Sequence, residues 1–392
     1  MGWKTAAGST GRLLQLCFGY FVFYVLTGIV VKVFTGGLGR PGMPEIAYLV
    51  NNTLGGTALA LLVVFTLRWV RLRSNRLVQV GPFKVPVETF YIVPSGICTA
   101  VVIPGTTLMY TLPISVMVAM VIMRGSIIVI SRLVDAVQIR QGILTKRVYS
   151  EENWAVAFAL LAVATNVLLL PLVGWLEGRG VPAAEALHLN PKALAGTFDF
   201  VHSSAAMTIL TAYVTAYAIR IYLMNYFKNT RGPGVKLDNQ GFFAIEQLAA
   251  STTMFLVAFV LILGVDRFGW HDERLMTFAQ AAHHLDPVAV LSGVPFGVVA
   301  FFSVFLFMFQ GRTATFAGLV NRLTSLLAGT TSTLLLAWWF GLKPPTVPDW
   351  VSFGFILVAV AFLSRAEKRR TAESSAVVAP GAGTARVAAA AL

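Results

Sequence analysis

Charge is what this sequence has least of. Only 12% of its 392 residues are Asp, Glu, Lys or Arg, against about 25% in ordinary soluble domains, while 57% are hydrophobic. A chain this poor in charge cannot solvate a globular surface, and it reads as a polytopic membrane protein. Carboxylates are scarcer still, 17 against 30 Lys and Arg, giving a net charge of +13. The basic residues fall mostly in alternate loops rather than along one face, which sets membrane topology and excludes a nucleic-acid partner. The only two cysteines, Cys17 and Cys98, lie in apolar runs, so no disulfide framework or thiolate zinc site can be built. No glycine-rich phosphate loop, nucleophile elbow or tightly spaced histidine motif occurs, which argues against an ATP-driven pump. No catalytic residue, cofactor or metal ligand is therefore assigned.

What is present is a succession of apolar runs of bilayer length. Candidate spans are Leu13 to Phe34, Ile46 to Leu67, Val87 to Tyr110, Leu112 to Arg132 and Trp154 to Leu176, then Phe200 to Phe227, Ala244 to Val265, Val290 to Phe309, Thr313 to Phe340 and Trp350 to Ser364. The first reads as a retained helix, without a convincing cleavage site after it. Lys and Arg concentrate in the even-numbered connections, for example Arg68, Arg71, Arg73, Arg76 and Lys84 in the second, and again in the C-terminal tail. That bias puts both termini in the cytoplasm and agrees with an even number of spans. The expected fold is an all-α membrane protein of about ten transmembrane helices in two inverted five-helix repeats. The first repeat covers 13–176, an outer linker 177–199, the second repeat 200–364, and a disordered cytoplasmic tail 365–392. The repeat shows faintly as Ser131-Arg132-Leu133 followed by Trp154, against Asn321-Arg322-Leu323 followed by Trp350. An integral multi-pass protein of a bacterial cytoplasmic membrane is expected, an organelle membrane being the other possibility.

Two charges stand inside apolar runs. Arg124, in the stretch Pro113 to Gln138, has apolar residues for about two turns on each side, and a guanidinium at such depth costs about 2.5–3.5 kcal/mol on insertion scales. Arg322 sits about ten residues into the ninth run. Either can be structural, Arg124 satisfied by carbonyls of a neighbouring helix and Arg322 snorkelling to the interface. Glu45, Glu88, Asp135, Asp199 and Glu246 all fall near a membrane face in this topology, so neither arginine has an obvious counter-ion. An anionic organic ligand would supply one, and arginine is the side chain shaped to hold it. The candidate substrate-binding set is Arg124, Ser126, Arg322, Asn321, Asn51, Asn52, Tyr213 and Tyr217, the two tyrosines sharing a helix face four residues apart. Thr106, Thr107, Asn166 and Thr252 are further polar positions within spans. His188, His202, His271, His283 and His284 gather in outer loops, and a membrane-embedded enzyme using them is the alternative reading.

The stretch MRGSIIVISRLVDAVQIRQGILTKR, with Trp154 after it, resembles the drug/metabolite transporter superfamily, in particular its nucleotide-sugar-transporter-like branch. The likeness is carried by Arg124-Gly125-Ser126, the basic turn at Lys146 and Arg147, and Trp154. It runs from Tyr91 to Leu170, with a fainter echo from Phe296 to Ser364. The resemblance implies ten helices in two inverted repeats and a secondary transporter of a small organic solute, such as a nucleotide sugar or phosphorylated metabolite, with the bilayer as its other partner.

Overall fold

A computed structural model describes residues 9–39, 41–112, 116–144, 149–186, 203–232, 235–309, 314–342, 344–345 and 347–378. Lys146, Arg147, His188, Asp199, His202, the linker beyond 186, the tail beyond 378 and the side chain of Asn166 lie outside the described residues. The helices are α1 (Thr10–Thr35), α2 (Glu45–Thr66), α3 (Thr89–Thr111), α4 (Val116–Arg140), α5 (Ser150–Glu177) and the short α6 (Ala183–Ala186). They continue with α7 (Ser204–Asn229), α8 (Asn239–Phe268), α9 (Glu273–His283), α10 (Pro287–Leu291), α11 (Val294–Phe307), α12 (Ala314–Phe340) and α13 (Val347–Val378). Among the described residues, eight stretches are long and apolar enough to cross a bilayer: α1, α2, α3, α7, α8, α10 and α11 taken together, α12 and α13. Helices α4 and α5 are of comparable length, 25 and 28 residues.

Helix starts are set by short polar side chains. Ser9, Ser203, Asp238, Asp272 and Asp286 each accept a backbone N–H from the first turn of α1, α7, α8, α9 and α10, satisfying donors that have no intrahelical partner. Outward faces are apolar, as Phe255, Leu256, Phe259 and Val260 of α8 show by their exposure, whereas polar groups turn inward. This is the distribution of a helical bundle surrounded by lipid.

Three features differ from the sequence reading. The basic second loop contains an antiparallel hairpin, β1 (Leu77–Val80) with β2 (Phe83–Pro86), closed by Gly81 and Pro82 and pairing Val80 with Phe83. Its strands, in which only Gln79 and Lys84 are polar, are four residues each and too short to stand out from the basic residues around them. The loop holding His271, His283 and His284 contains α9, begun by the Asp272 cap. The last helix continues to Val378, past the expected end at Ser364, with Arg369 bonded to Glu151 at the start of α5.

Among the helices of bilayer length the principal packing pairs form an ordered set, while the short α9 adds a contact with α2 that has no counterpart. Helix α1 packs on α11 and α12, as α7 packs on α3 and α4; α2 packs on α10 and α11, as α8 packs on α3; α4 lies against α12 and α5 against α13. Exchanging α1 to α5, in order, with α7, α8, α10–α11, α12 and α13 turns this set into itself.

Candidate functional site

The site is built on the helices that meet along the α4–α12 contact. Arg124 is the ninth residue of α4 and Arg322 the ninth of α12, both almost wholly buried. Met120, Val121, Met123 and Ile127 around the first, and Leu319, Leu323 and Leu326 around the second, are buried as well. The flanking residues that marked both arginines in the sequence are thus core residues of the bundle.

Arg124 is held by phenols. Its Nη1 donates to the Tyr213 hydroxyl at 2.6 Å and its Nη2 to that of Tyr110 at 3.3 Å, while the Tyr110 hydroxyl donates to Tyr24 at 3.1 Å. The guanidinium carbon is 5.2 Å from the centre of the Tyr24 ring, and Nε has no partner. No carboxylate answers the charge in these contacts. Arg322 is held less well. Its guanidinium lies 4.5 Å from the Tyr217 ring centre and 5.3 Å from that of Phe307, and none of its three nitrogens makes a hydrogen bond. The Tyr217 phenol is its nearest acceptor, close enough to interact but short of a well-aligned hydrogen bond. Its neighbour Asn321 accepts from the Tyr20 hydroxyl at 3.2 Å and donates to Ser303 at 3.3 Å.

A third arginine completes the cluster and was passed over in the sequence. Arg220 of α7 makes a two-pronged ion pair with Glu246 of α8, Nε to Oε1 and Nη2 to Oε2 both at 2.9 Å, with both residues buried. Ser95 and Thr99 of α3 donate to the same Oε1 at 2.6 and 3.2 Å. Glu246, expected near a membrane face and away from the arginines, is therefore part of their surroundings. Arg220 Nη1 lies 3.5 Å from the Tyr217 hydroxyl, so this one phenol links Arg220 to Arg322. The signal available was an arginine and a glutamate in neighbouring apolar runs, a combination that burial favours only as a pair.

Tyr20 and Tyr24 were also missed. They are four apart on α1, at its eleventh and fifteenth residues, and Tyr213 and Tyr217 are four apart at the tenth and fourteenth of α7. Tyr20, Tyr24, Thr99, Thr106, Arg124, Tyr217 and Arg220 line an internal cavity of about 40 Å³, room for roughly three waters. A wider cleft of about 510 Å³, where α1 and α8 begin and α2 ends, is lined by Arg12, Arg68, Arg71 and Arg73 together with Asp238.

Of the expected set, Arg124, Arg322, Asn321, Tyr213 and Tyr217 come together. Ser126 is on the same helix, bonded back to the Ile122 carbonyl. Asn51 and Asn52 lie apart from the arginines and tie α2 to the segment around α10: Asn51 accepts from the Asp286 N–H, and Asn52 donates to the Tyr48 hydroxyl and the Ser292 carbonyl. Thr106 bonds within its own helix. His283 pairs with Asp266 at 3.0 Å, both exposed, and among the described residues no three His, Cys, Asp or Glu side chains gather as metal ligands. A scan against protein-family models finds no match to the chain, and a search of curated proteins finds no significant relative.

Proposed function

We propose that the chain is a secondary transporter of an anionic organic solute, working by alternating access around the arginine–tyrosine cluster. One observation carries the reading: a fully buried guanidinium, Arg322, that faces only aromatic rings and the Tyr217 phenol and makes no well-formed hydrogen bond. Burying a charge costs several kcal/mol, and two cation–π contacts return about 2 kcal/mol each at best, so a deficit remains. A bound carboxylate or phosphate offsets it. Arg124, answered only by neutral phenols, has the same need, and the four arginines of the wider cleft provide a basic approach that concentrates anions.

The architecture proposed is two five-helix repeats inserted in opposite senses, both ends cytoplasmic, in a membrane of bacterial type. In its favour are the helix packing that exchanges with itself, the ninth-residue arginines of α4 and α12, and the tyrosine pairs of α1 and α7. An odd number of helices per repeat makes the two repeats antiparallel, an arrangement that places solute sites at their interface. A drug/metabolite transporter of the nucleotide-sugar-transporter-like branch is the type this reading favours, on the Arg124-Gly125-Ser126 step.

The test is a panel of nucleotide sugars, phosphorylated metabolites and carboxylates, with neutral analogues, against melting of the detergent-solubilised chain and counterflow in liposomes. An anion at a hundred times its dissociation constant stabilises by about 2.7 kcal/mol. Arg322→Met is expected to fold at least as well as wild type and to lose that shift. Equal stabilisation by neutral analogues, or a full shift retained in Arg322→Met, would overturn the reading.

A further inference from the structure

Resting on that reading, the geometry points to a second ligand, a proton, bound by Glu246 and coupled to the anion through Arg220. The two oxygens of Glu246 are unequally loaded. Oε1 accepts from Arg220 Nε, Ser95 and Thr99, whereas Oε2 accepts from Arg220 Nη2 alone. A proton arriving at the carboxylate therefore settles on Oε2, where it displaces one donor, and the two hydroxyls keep Oε1 satisfied. The displaced donor belongs to the arginine. Once one prong is lost the bidentate fork is broken, and Arg220 already lines the cavity with its Nη1 toward the Tyr217 hydroxyl. Arg220 then has a freed Nη2 on the same cavity that Arg124 lines.

Charge decides that the two ligands enter together. Three arginines against one carboxylate leave the cluster doubly positive, and protonating Glu246 alone raises that further. An anion alone finds Arg220 already occupied. With both present, the anion takes the place that the carboxylate gave up, and no net charge is added beyond that of the pair. The proton moves onto Glu246 Oε2, Arg220 stays charged, and no bond other than O–H forms. The charged and titratable groups facing the carboxylate are Arg220 and Tyr217 from α7 and Cys98 from α3, the last in electrostatic reach of both members of the pair. Linkage makes the effect reciprocal: the proton tightens the anion by the factor by which the anion tightens the proton.

The corresponding place in the first half carries a neutral side chain. Asn52 is the eighth residue of α2 and Glu246 the eighth of α8. Each meets a Ser-Gly step, Ser292-Gly293 and Ser95-Gly96, where a Cβ on the glycine would lie 2.0 Å from the Asn52 carbonyl oxygen and 2.6 Å from that of Glu246. Similar backbone crossings thus hold an amide on one side and a carboxylate on the other, so the fold itself does not require a charge there.

Infrared difference spectroscopy of the full chain in lipid, titrated with acid, reads the carbonyl stretch of protonated carboxyls directly, and sulfate serves as an anion that does not itself titrate in this range. The expected result is a band that Glu246→Gln removes and that Ser95→Ala shifts in frequency; the second variant identifies the band should the first fail to fold. Its midpoint should rise with sulfate, by about one pH unit at a tenfold excess over the dissociation constant. Absence of any such band at every pH where the chain remains folded overturns the proposal. So does a Glu246 band whose midpoint ignores sulfate, whether or not sulfate binds. The anion reading is judged separately, by the melting shift that Arg322→Met should lose.

Discussion

Arg124 and Arg322 occupy equivalent positions in their helices but have different surroundings, so one substitution should have two outcomes. Arg124→Met deprives the Tyr213 and Tyr110 hydroxyls of their donor, a loss of about 1–3 kcal/mol for each group left unsatisfied, against the relief of a buried charge. Arg322→Met breaks no hydrogen bond and relieves the whole charge, a gain of about 1–4 kcal/mol by analogy with buried ion pairs replaced by apolar groups. Melting of the two variants in the same detergent should therefore place Arg322→Met above wild type and Arg124→Met below it. Arg124→Lys should lie between, since it keeps the charge and loses the two-pronged geometry. Equal melting for the two methionine variants would mean that the phenols contribute nothing to holding Arg124. Both arginines were legible in the sequence because each interrupts a long apolar run. Arg220 interrupts one too, but it lies near the cytoplasmic end of its run, and its partner Glu246 falls near a membrane face in the expected topology.

Among the elements, the hairpin loop between α2 and α3 is fastened chiefly at the Glu88 carboxylate, with Asp238 accepting from the Arg73 N–H and Asn75 bonded to Thr230 and Gly232 beside it. Glu88, just before α3, accepts from the Ser74 hydroxyl at 2.5 Å, the Asn75 N–H at 2.6 Å and Arg231 Nη1 at 2.8 Å, and Arg231 also donates to the Arg73 carbonyl. The loop is thereby fastened to the connection between α7 and α8. Burial pushes the Glu88 carboxyl up, but the Ser74 hydroxyl, the Asn75 N–H and the Arg231 charge outweigh it and hold the carboxyl below its ordinary value. A depressed folded-state pKa means that the stabilisation is complete above the ordinary glutamate range and is lost as pH falls through the lower value. Glu88→Gln should melt below wild type at neutral pH, by about 1–3 kcal/mol, and the gap should close on acidification. A gap independent of pH would show that the carboxylate charge is not what fastens the loop. The helices on either side were legible from apolar length alone, with ends displaced by a few residues at caps such as Ser9 and Ser203. The hairpin and α9 were not, because Leu77–Pro86 and Glu273–His283 owe their form to a two-residue turn and an aspartate cap, local signals that a basic or histidine-rich loop conceals.

For the whole molecule, the basic-loop asymmetry gives an orientation that is independent of the site. Cysteines placed in the Arg68 to Lys84 loop should be shielded from impermeant reagents in intact cells, and cysteines between His271 and Asp286 should react. Labelling of the Arg71 region from outside would reverse the molecule. On the proposed repeat reading, the pairing of Asn52 with Glu246 also carries a history. Two copies of one five-helix sequence, assembled head to tail, must carry the same side chain at both places, two amides or two carboxylates, and every substitution appears twice. Joining the copies in one gene releases each position from the other, so that a charge can be kept on one side and discarded on the other. On the repeat reading, a lone acid beside a two-fold cavity is inherited only by the fused descendant, and the ability to take up one proton per cycle rather than two or none dates from the fusion.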